Sequence, residues 1–189
     1  MILISSGGRN VRRNKMGMLQ RFYPDKYVSS AYDLPYEQLY EQGYRGIIYD
    51  IDNTLVPHNA PADERARQLF ERLHAIGFSC CLLSNNKKKR VADFNQEIGA
   101  HMVWMANKPA KGGYRRAMEA MGTEPANTLF VGDQLFTDVW GARRTGIFSI
   151  LVKPIHPKEE IQIVLKRYLE RIVLHFYQRD LRRKRQDFS

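Results

Sequence analysis

Short apolar runs alternate with segments of helical periodicity over the middle of the chain. Three runs are continuous and of strand length, as is typical of buried parallel strands, at residues 46–49, 78–83 and 128–131. Apolar runs at 101–105 and 147–152 predict two further strands. The order of elements is β-α-β-α-β-α-β-α-β, which predicts an α/β fold with a Rossmann-like, doubly wound parallel sheet.

Four segments between these strands have apolar residues at helical spacing and end at a glycine. The first places Ala66, Leu69, Phe70, Leu73 and Ile76 on one face before Gly77. The others end before Gly99, Gly122 and Gly146, the last being a short helix over about 137–145. One helix and one strand fill residues 55–83, and a second helix and strand fill residues 85–107, so we expect no cap domain in either interval.

The two ends of the chain differ from this central region. Residues 1–17 lack periodicity and are rich in Gly, Asn, Ser and Arg, so we expect a disordered basic extension. The α/β domain is expected at 18–157, and a long amphipathic helix with a basic tail at 158–189. The expected apolar face of that helix comprises Ile161, Val164, Leu165, Tyr168, Ile172 and Phe176, widened by Ile163, Leu169, Val173, Leu174 and Tyr177.

Charge is distributed unevenly along the chain. The net charge is +10, and residues 1–26 and 153–189 carry all of the excess while 27–152 is neutral. Basic ends on a neutral domain are typical of contact with an anionic partner, either lipid headgroups or nucleic acid, although such tails also simply maintain solubility.

The cysteines and the hydropathy bear on the compartment. Cys80 and Cys81 are adjacent and would point to opposite faces of a strand, so they cannot form a disulfide that closes the fold. The apolar start precedes its basic residues, the reverse of a signal peptide, and no apolar run has the length of a membrane span. We therefore expect a cytoplasmic protein, with peripheral contact at the inner face of the membrane left open.

Polar clusters follow the predicted strands, at the edge where a doubly wound sheet binds its ligands. Asp50 and Asp52 follow the first strand, and Asp133 and Asp138 follow the strand at 128–131. Close carboxylates imply a cation or a shared proton, and oxygen ligands of this kind suit Mg²⁺. Ser84 follows the second strand, and Lys108 lies beyond the next; a hydroxyl and an ammonium are suited to holding phosphate oxygens.

Each cluster has an ordinary structural explanation when taken alone. Acidic pairs occur in turns, a serine at a strand end is often a helix N-cap, and a lysine is usually solvated. The conjunction of four clusters in order, each after its own strand, favours a catalytic site.

The segments Asp50-Ile51-Asp52-Asn53-Thr54, Ser84, Lys108 and Gly132-Asp133 with Asp138 together resemble the four motifs of the haloacid dehalogenase (HAD) superfamily. The segment Phe22–Tyr27, followed by the motif at 47–56, is similar to the capless, class III A, YqeG-type phosphatases, which are themselves similar to mitochondrial phosphatidylglycerophosphate phosphatases.

The resemblance implies a role for each motif residue. Asp50 would be the nucleophile and Asp52 the general acid and base. Thr54, Ser84, Asn85 and Lys108 would bind the phosphate. Mg²⁺ would be held by Asp133, Asp50 and the main-chain carbonyl of Asp52, and Asp138 would ligate or orient.

The expected function is a Mg²⁺-dependent phosphomonoester hydrolase that forms an aspartyl-phosphate. An open site favours a bulky phosphorylated substrate such as an anionic phospholipid. Two alternatives remain: a nucleic-acid-end or RNA-associated phosphatase, although the tails lack the pattern of a known RNA-binding module, and a non-catalytic binding protein on the same scaffold. The sequence leaves the oligomeric state undetermined.

Overall fold

Six parallel strands form the central sheet of the protein, described by a computed structural model that covers residues 19–156 and 161–186, with side chains in the last helix from 168 to 183. The strands are β1 (Lys26–Val28), β2 (Gly46–Tyr49), β3 (Ser79–Leu83), β4 (His101–Val103), β5 (Thr128–Gly132) and β6 (Phe148–Val152). Their order in the sheet is β1-β6-β5-β2-β3-β4. This is the predicted doubly wound arrangement, with β2 in the interior between β5 and β3.

Strand β1 was not predicted from the sequence. It has three residues, lies at the edge of the sheet and pairs with β6 through Tyr27 and Leu151. Its side chains are exposed or only partly buried. A strand this short and this exposed carries no apolar run or alternation, so tertiary pairing alone defines it.

Helices cover both faces of the sheet. They are α1 (Tyr36–Glu41), α2 (Glu64–Ile76), α3 (Lys88–Asn95), α4 (Lys111–Met121), α5 (Trp140–Arg144) and α6 (Ile161–Gln186). Helix α2 begins where the Asp63 carboxylate accepts the Ala66 N–H at 2.8 Å, and ends at Gly77, whose φ of 108° is left-handed. The helix expected at 137–145 is instead a π-helical turn at 135–139 followed by α5.

Alternation along the strands separates two buried clusters. Tyr49, Cys80 and Val131 face the cluster that includes α2 and α3. Ile48, Cys81 and Phe130 face α4 and α5 on the other side. Both cysteines are free and buried, in agreement with the expectation from their adjacent positions.

The connections around the interior strand leave the carboxyl edge of the sheet open. All of residues 50–100 are described, and they contain α2 between β2 and β3 and α3 between β3 and β4. This confirms the expected absence of a cap domain in these intervals.

Helix α6 packs on the domain through one face. Glu170, Val173 and Tyr177 are buried, and Val173 contacts the cluster formed by Leu135, Val139 and Leu151. Val173 and Tyr177, two of the residues predicted to widen the apolar face, are therefore buried against the domain. Tyr168, Leu169 and Ile172 lie on the other side and are exposed.

Parts of the two predicted terminal segments lie outside the described residues. These are the predicted extension at 1–17 and residues 157–160, near the predicted start of the C-terminal segment. None of the described helices has the length and hydrophobicity needed to cross a membrane.

Candidate active site

The predicted catalytic side chains meet at the carboxyl edge of the sheet. Asp50 directly follows β2, Ser84 follows β3, and Asp133 follows β5. Lys108 lies in the loop between β4 and α4. All four are buried. Parallel strands end at the same edge, which is why positions distant in the sequence converge here.

Lys108 bridges two of the carboxylates. Its Nζ lies 2.5 Å from Asp50 Oδ1 and 2.7 Å from Asp138 Oδ1. Burial by itself would lower the pKa of the Lys108 ammonium, but the charges of Asp138 and Asp50 outweigh burial and raise that pKa above its ordinary value. The side chain is therefore a fixed cation in the site.

The pKa of the Asp50 carboxyl group is strongly affected by its surroundings. Burial, together with the nearby charge of Asp138, raises this pKa from 3.8 to about 7 against the opposing effect of Lys108. Thr54 Oγ1 donates to Asp50 Oδ2 over a long 3.4 Å. The Lys108 ammonium offsets only part of the cost of burying the ionised Asp50 carboxylate, so a further positive charge nearby would stabilise that ionised form.

Three carboxylates form a group suited to a cation. Oxygens of Asp50, Asp133 and Asp138 lie within 4.8 Å of one another, and all three residues are buried. Lys108 balances one of these charges, and the all-oxygen donor set matches the preference of Mg²⁺. The residues therefore fit a divalent cation. The Asp52 carboxylate is not part of this group, and its expected contribution through the main-chain carbonyl stays a prediction.

The side chain of Asp52 is held by partners of its own. Oδ2 accepts the Asn86 amide at 2.6 Å, while Oδ1 accepts Arg90 at 2.9 Å and the Asn59 N–H at 2.8 Å. The turn that presents Asp52 is tight, because Asn53 has a φ of 63° and its N–H bonds to the Val56 carbonyl at 2.7 Å. Asp52 is thus fixed in one orientation beside the loop that connects β3 to α3.

The loop after β3 is joined to the Lys108 loop by hydrogen bonds. The Ser84 hydroxyl accepts the Asn86 N–H at 3.1 Å. The Asn85 side chain accepts the Lys108 N–H at 2.7 Å and donates to the Lys108 carbonyl at 3.3 Å. Asn85 therefore positions the main chain of Lys108. Phosphate binding by Thr54, Ser84 and Asn85 stays a prediction.

A π-helical turn at 135–139 carries Asp138 into the site, an irregularity that is frequent at functional sites. Gly132 allows the close approach, since a Cβ there would lie 2.6 Å from Asp138 Oδ2. The Tyr114 hydroxyl lies 2.9 Å from the Thr137 carbonyl and 3.1 Å from that of Asp138. From α6, Glu170 accepts the Leu135 N–H at 2.8 Å.

Comparison with known proteins identifies the family. Residues 105–160 match a family model described as HAD-hydrolase-like. The chain is 35% identical to the probable phosphatase YqeG of Bacillus subtilis, over 83% of this chain and 92% of that protein. The chain belongs to the YqeG family of HAD phosphatases.

Two further relatives are more distant from this YqeG-family phosphatase. The chloroplastic and mitochondrial phosphatidylglycerophosphate phosphatase 1 of Arabidopsis thaliana is 29% identical over 85% of this chain, which spans about half (48%) of that protein. A hypothetical protein from Xanthomonas campestris, XCC2798, has the same fold, with a TM-score of 0.50 at 19% identity over 69% of this chain and 76% of its own.

Four residues of this YqeG-family site were not identified from the sequence: Asn86, Arg90, Tyr114 and Glu170. Asn86 and Arg90 follow Ser84 closely in a polar and basic stretch, so their proximity to a motif was an available indication. Tyr114 was expected only as a core residue of its helix. Glu170 is a single acidic residue among the apolar positions of α6, and nothing local indicates its partner 35 residues earlier.

Proposed function

We propose that this phosphatase hydrolyses phosphate monoesters through a covalent aspartyl-phosphate on Asp50. A carboxylate oxygen of Asp50 attacks phosphorus in line, the bond from phosphorus to the alcohol oxygen breaks, and Asp52 supplies the proton that the alcohol takes. Asp52 then removes a proton from water, whose oxygen attacks the phosphorus and releases Asp50. The observation that best supports this proposal is the buried Asp50 carboxylate, which lies 2.5 Å from the Lys108 ammonium and directly beyond an interior strand.

The surrounding groups support this assignment by their charge and position. Lys108 is a fixed cation that offsets negative charge on a transferring phosphoryl group. Ser84 presents a hydroxyl at the end of the neighbouring strand, and Thr54 lies beside the nucleophile. In this proposal they hold the phosphate oxygens together with Asn85, which also positions the main chain of Lys108.

We assign the three buried carboxylates to one Mg²⁺ ion. Asp50 and Asp133 would be ligands together with the main-chain carbonyl of Asp52, and Asp138 would ligate or orient. When bound, the ion supplies Lewis-acid polarisation of the phosphoryl group and compensates the carboxylate charge. Asp138 also retains its ion pair with Lys108, so it links the metal site to the phosphate site.

Replacement of the nucleophile tests the mechanism. Asp50→Asn should abolish turnover, because an amide cannot form the acyl-phosphate, while the far-UV and near-UV circular dichroism stay those of the wild type. Wild-type protein with Mg²⁺ and beryllium fluoride should form an acyl-phosphate mimic on Asp50, visible by ¹⁹F NMR and absent from the variant. Substantial turnover by Asp50→Asn would exclude this mechanism.

For the substrate, we propose an anionic phospholipid monoester of the phosphatidylglycerophosphate type. The intervals that flank the catalytic strands contain no cap within residues 50–100, so a bulky headgroup can reach Asp50. Met105, which is 65% exposed, is linked to the phosphate-binding loop by its N–H bond to the Asn86 carbonyl at 2.9 Å. Ile155, 42% exposed, is linked to the nucleophile loop by its N–H bond to Asn53 at 3.0 Å.

The location of these groups favours peripheral contact with a membrane. Met105 and Ile155 project from loops at the carboxyl edge of the sheet, on either side of the catalytic strands. The basic residues Lys87, Lys88 and Lys153 are exposed at the same edge. We propose that the enzyme works at the inner face of the cytoplasmic membrane, attached by apolar and basic side chains.

A substrate panel separates this proposal from its alternatives. With Mg²⁺ present, phosphatidylglycerophosphate in anionic vesicles should give the highest kcat/KM, above phosphoserine peptide, nucleotide and 3′- or 5′-phosphorylated oligonucleotide. A preference for the oligonucleotides would identify a nucleic-acid-end phosphatase. If no monoester turns over, and beryllium fluoride leaves Asp50 unmodified, the protein is a binding protein on this scaffold.

A further inference from the structure

The side chain of Asp52 is held at both oxygens by residues of the next connection. Asn86 bonds to Oδ2 and Arg90 to Oδ1, at 2.6 and 2.9 Å. Asn86 lies in the loop after β3, where its N–H also bonds to Ser84, and Arg90 lies on the first turn of α3. The two contacts therefore join the Asp52 turn to the phosphate-binding loop.

Arg90 occupies an enclosed position between two segments. Its side chain is 18% exposed, and the same terminal nitrogen that bonds to Asp52 donates to the Ala60 carbonyl at 2.8 Å. The guanidinium carbon lies 5.6 Å from the centre of the Phe94 ring. The Arg90 guanidinium thus contacts Asp52, the Ala60 carbonyl and the Phe94 ring. Its ion pair with Asp52 is therefore shielded from solvent, unlike an exposed surface ion pair.

The pairing of Arg90 is incomplete. Its Nε is buried and has no hydrogen-bond partner among the described residues. An unpaired buried donor is unfavourable for folding. The position is therefore not optimised for stability alone, as is common where side chains are arranged for chemistry.

We propose that Arg90 and Asn86 are positioning residues that hold the Asp52 carboxyl group in line with the leaving-group oxygen. The inference rests on the proposed role of Asp52 as general acid and base. A proton donor contributes only when its oxygen is within hydrogen-bond reach of the leaving group, so restricting its rotation raises the fraction of productive complexes. Neither Arg90 nor Asn86 touches the reacting atoms in this proposal.

The leaving group provides the critical test. An alkyl alcohol leaves as a strongly basic oxyanion and needs a proton, whereas p-nitrophenolate leaves without one. The value of kcat/KM covers the steps up to loss of the leaving group, so it reports the acid step separately from hydrolysis of the intermediate.

The experiment compares Arg90→Met, Arg90→Lys and Asn86→Ala with the wild type in the full chain with Mg²⁺. Arg67→Met is the matched control, since Arg67 forms exposed ion pairs with Glu64 and Glu97 on the protein surface. Arg90→Met should lower kcat/KM for an alkyl phosphate by about 10- to 100-fold, because a misoriented Asp52 would lose part of the rate enhancement from general acid catalysis. For p-nitrophenyl phosphate, kcat/KM should fall by less than about threefold. Arg90→Lys should recover much of the loss, because a single nitrogen makes both hydrogen bonds.

A double-mutant cycle then shows whether Arg90 acts through Asp52. On an Asp52→Ala background, Arg90→Met should have no further effect on phenyl phosphate, a substrate of intermediate leaving-group ability. Equal losses with alkyl and p-nitrophenyl substrates, or additive effects in the cycle, would overturn the positioning role. If Asp52→Ala itself leaves alkyl phosphate hydrolysis intact, the assignment of Asp52 as the acid fails instead, and the two failures are distinguishable.

Discussion

At the scale of single residues, burial determines the chemistry of Asp50. The carboxyl group is removed from water at the end of an interior strand, and burial raises its pKa to about 7 in spite of Lys108 at 2.5 Å. The proposed role of Asp50 as nucleophile needs an ionised carboxylate, so it requires additional positive charge near Asp50. The convergence of Asp133 and Asp138 on the same point indicates that a divalent cation supplies it.

The raised pKa of Asp50 predicts how stability depends on pH without metal. The folded state holds its proton up to about pH 7, whereas the unfolded chain loses it near 3.8, so Asp50 lowers the free energy of unfolding as pH rises between these values. The effect is at most about 4 kcal/mol, at ~1.36 kcal/mol per pKa unit. In chelator, the Tm of Asp50→Asn relative to the wild type should therefore rise between pH 5 and 8.

Mg²⁺ should reverse that difference, since it binds the wild-type carboxylate cluster more tightly than the amide variant. The measurement is thermal unfolding across pH with EDTA and with Mg²⁺. A Tm difference that is independent of pH in EDTA would show that burial does not perturb the Asp50 carboxyl group as described.

The donor set also predicts which cations support activity. EDTA should abolish turnover and Mg²⁺ should restore it, because the cluster is built from carboxylates and contains no His or Cys. Ca²⁺ should inhibit, because its larger and looser coordination displaces the attacking carboxylate. Activity is measured with p-nitrophenyl phosphate after dialysis against chelator, and full activity in EDTA would contradict the metal assignment.

At the scale of elements, the π-helical turn at 135–139 is supported from two directions. The Tyr114 hydroxyl on α4 lies beside two of its carbonyls, and Glu170 on α6 accepts its first N–H. Gly132 leaves the space that Asp138 needs. The position of the Asp138 carboxylate thus depends on three separate elements of the fold.

Removal of the Tyr114 hydroxyl should therefore weaken metal binding as well as stability. Tyr114→Phe removes the hydroxyl that donates to carbonyls of the turn and should cost about 1–2 kcal/mol in the free energy of unfolding. It should also raise the Mg²⁺ concentration needed for half-maximal activity severalfold. Tyr36→Phe is the control, since the buried Tyr36 hydroxyl donates to the Ala31 carbonyl away from the site. Equal Mg²⁺ requirements in the two variants would show that Tyr114 is only a packing residue.

At the scale of the whole molecule, α6 presents two different faces. Glu170, Val173 and Tyr177 attach it to the domain. The opposite side exposes Tyr168, at 62%, and Ile172, with Arg179 and Arg183 further along the same helix and also exposed. An apolar and basic face that the domain does not cover fits the surface of an anionic membrane.

This face predicts salt-dependent binding to anionic vesicles. The full chain should co-sediment with them at low salt and be released at high salt, and truncation after Gln178 should reduce binding, because each basic residue near anionic lipid contributes on the order of 1 kcal/mol. Paired Arg179→Gln and Arg183→Gln should have a smaller effect in the same direction. The matched control changes the exposed Arg115 and Arg116 of α4 to Gln. Equal binding by the tail variants and the control would exclude the tail as an anchor.

The elements that depend on local pattern could be predicted from consecutive residues. Apolar runs defined β2, β3 and β5, helical spacing with a terminal glycine defined α2 and α4, and motif order placed Asp50, Ser84, Lys108 and Asp133 at one edge. A buried interior strand or an amphipathic helix can be identified from a few consecutive residues, because burial of one face or of the whole strand sets the spacing of its apolar side chains. The absence of a cap between these strands followed from the lengths of the intervals alone.

The interactions that join distant segments depend on tertiary packing instead. Strand β1 forms because its main chain pairs with β6. The hydrogen bond from the Lys108 N–H to the Asn85 side chain joins positions 23 residues apart. The contacts of Arg90 with Asp52 and of Glu170 with the turn at 135–139 are of the same kind. Their partners are chosen by how the chain packs in space, and no local period or motif spacing records that choice.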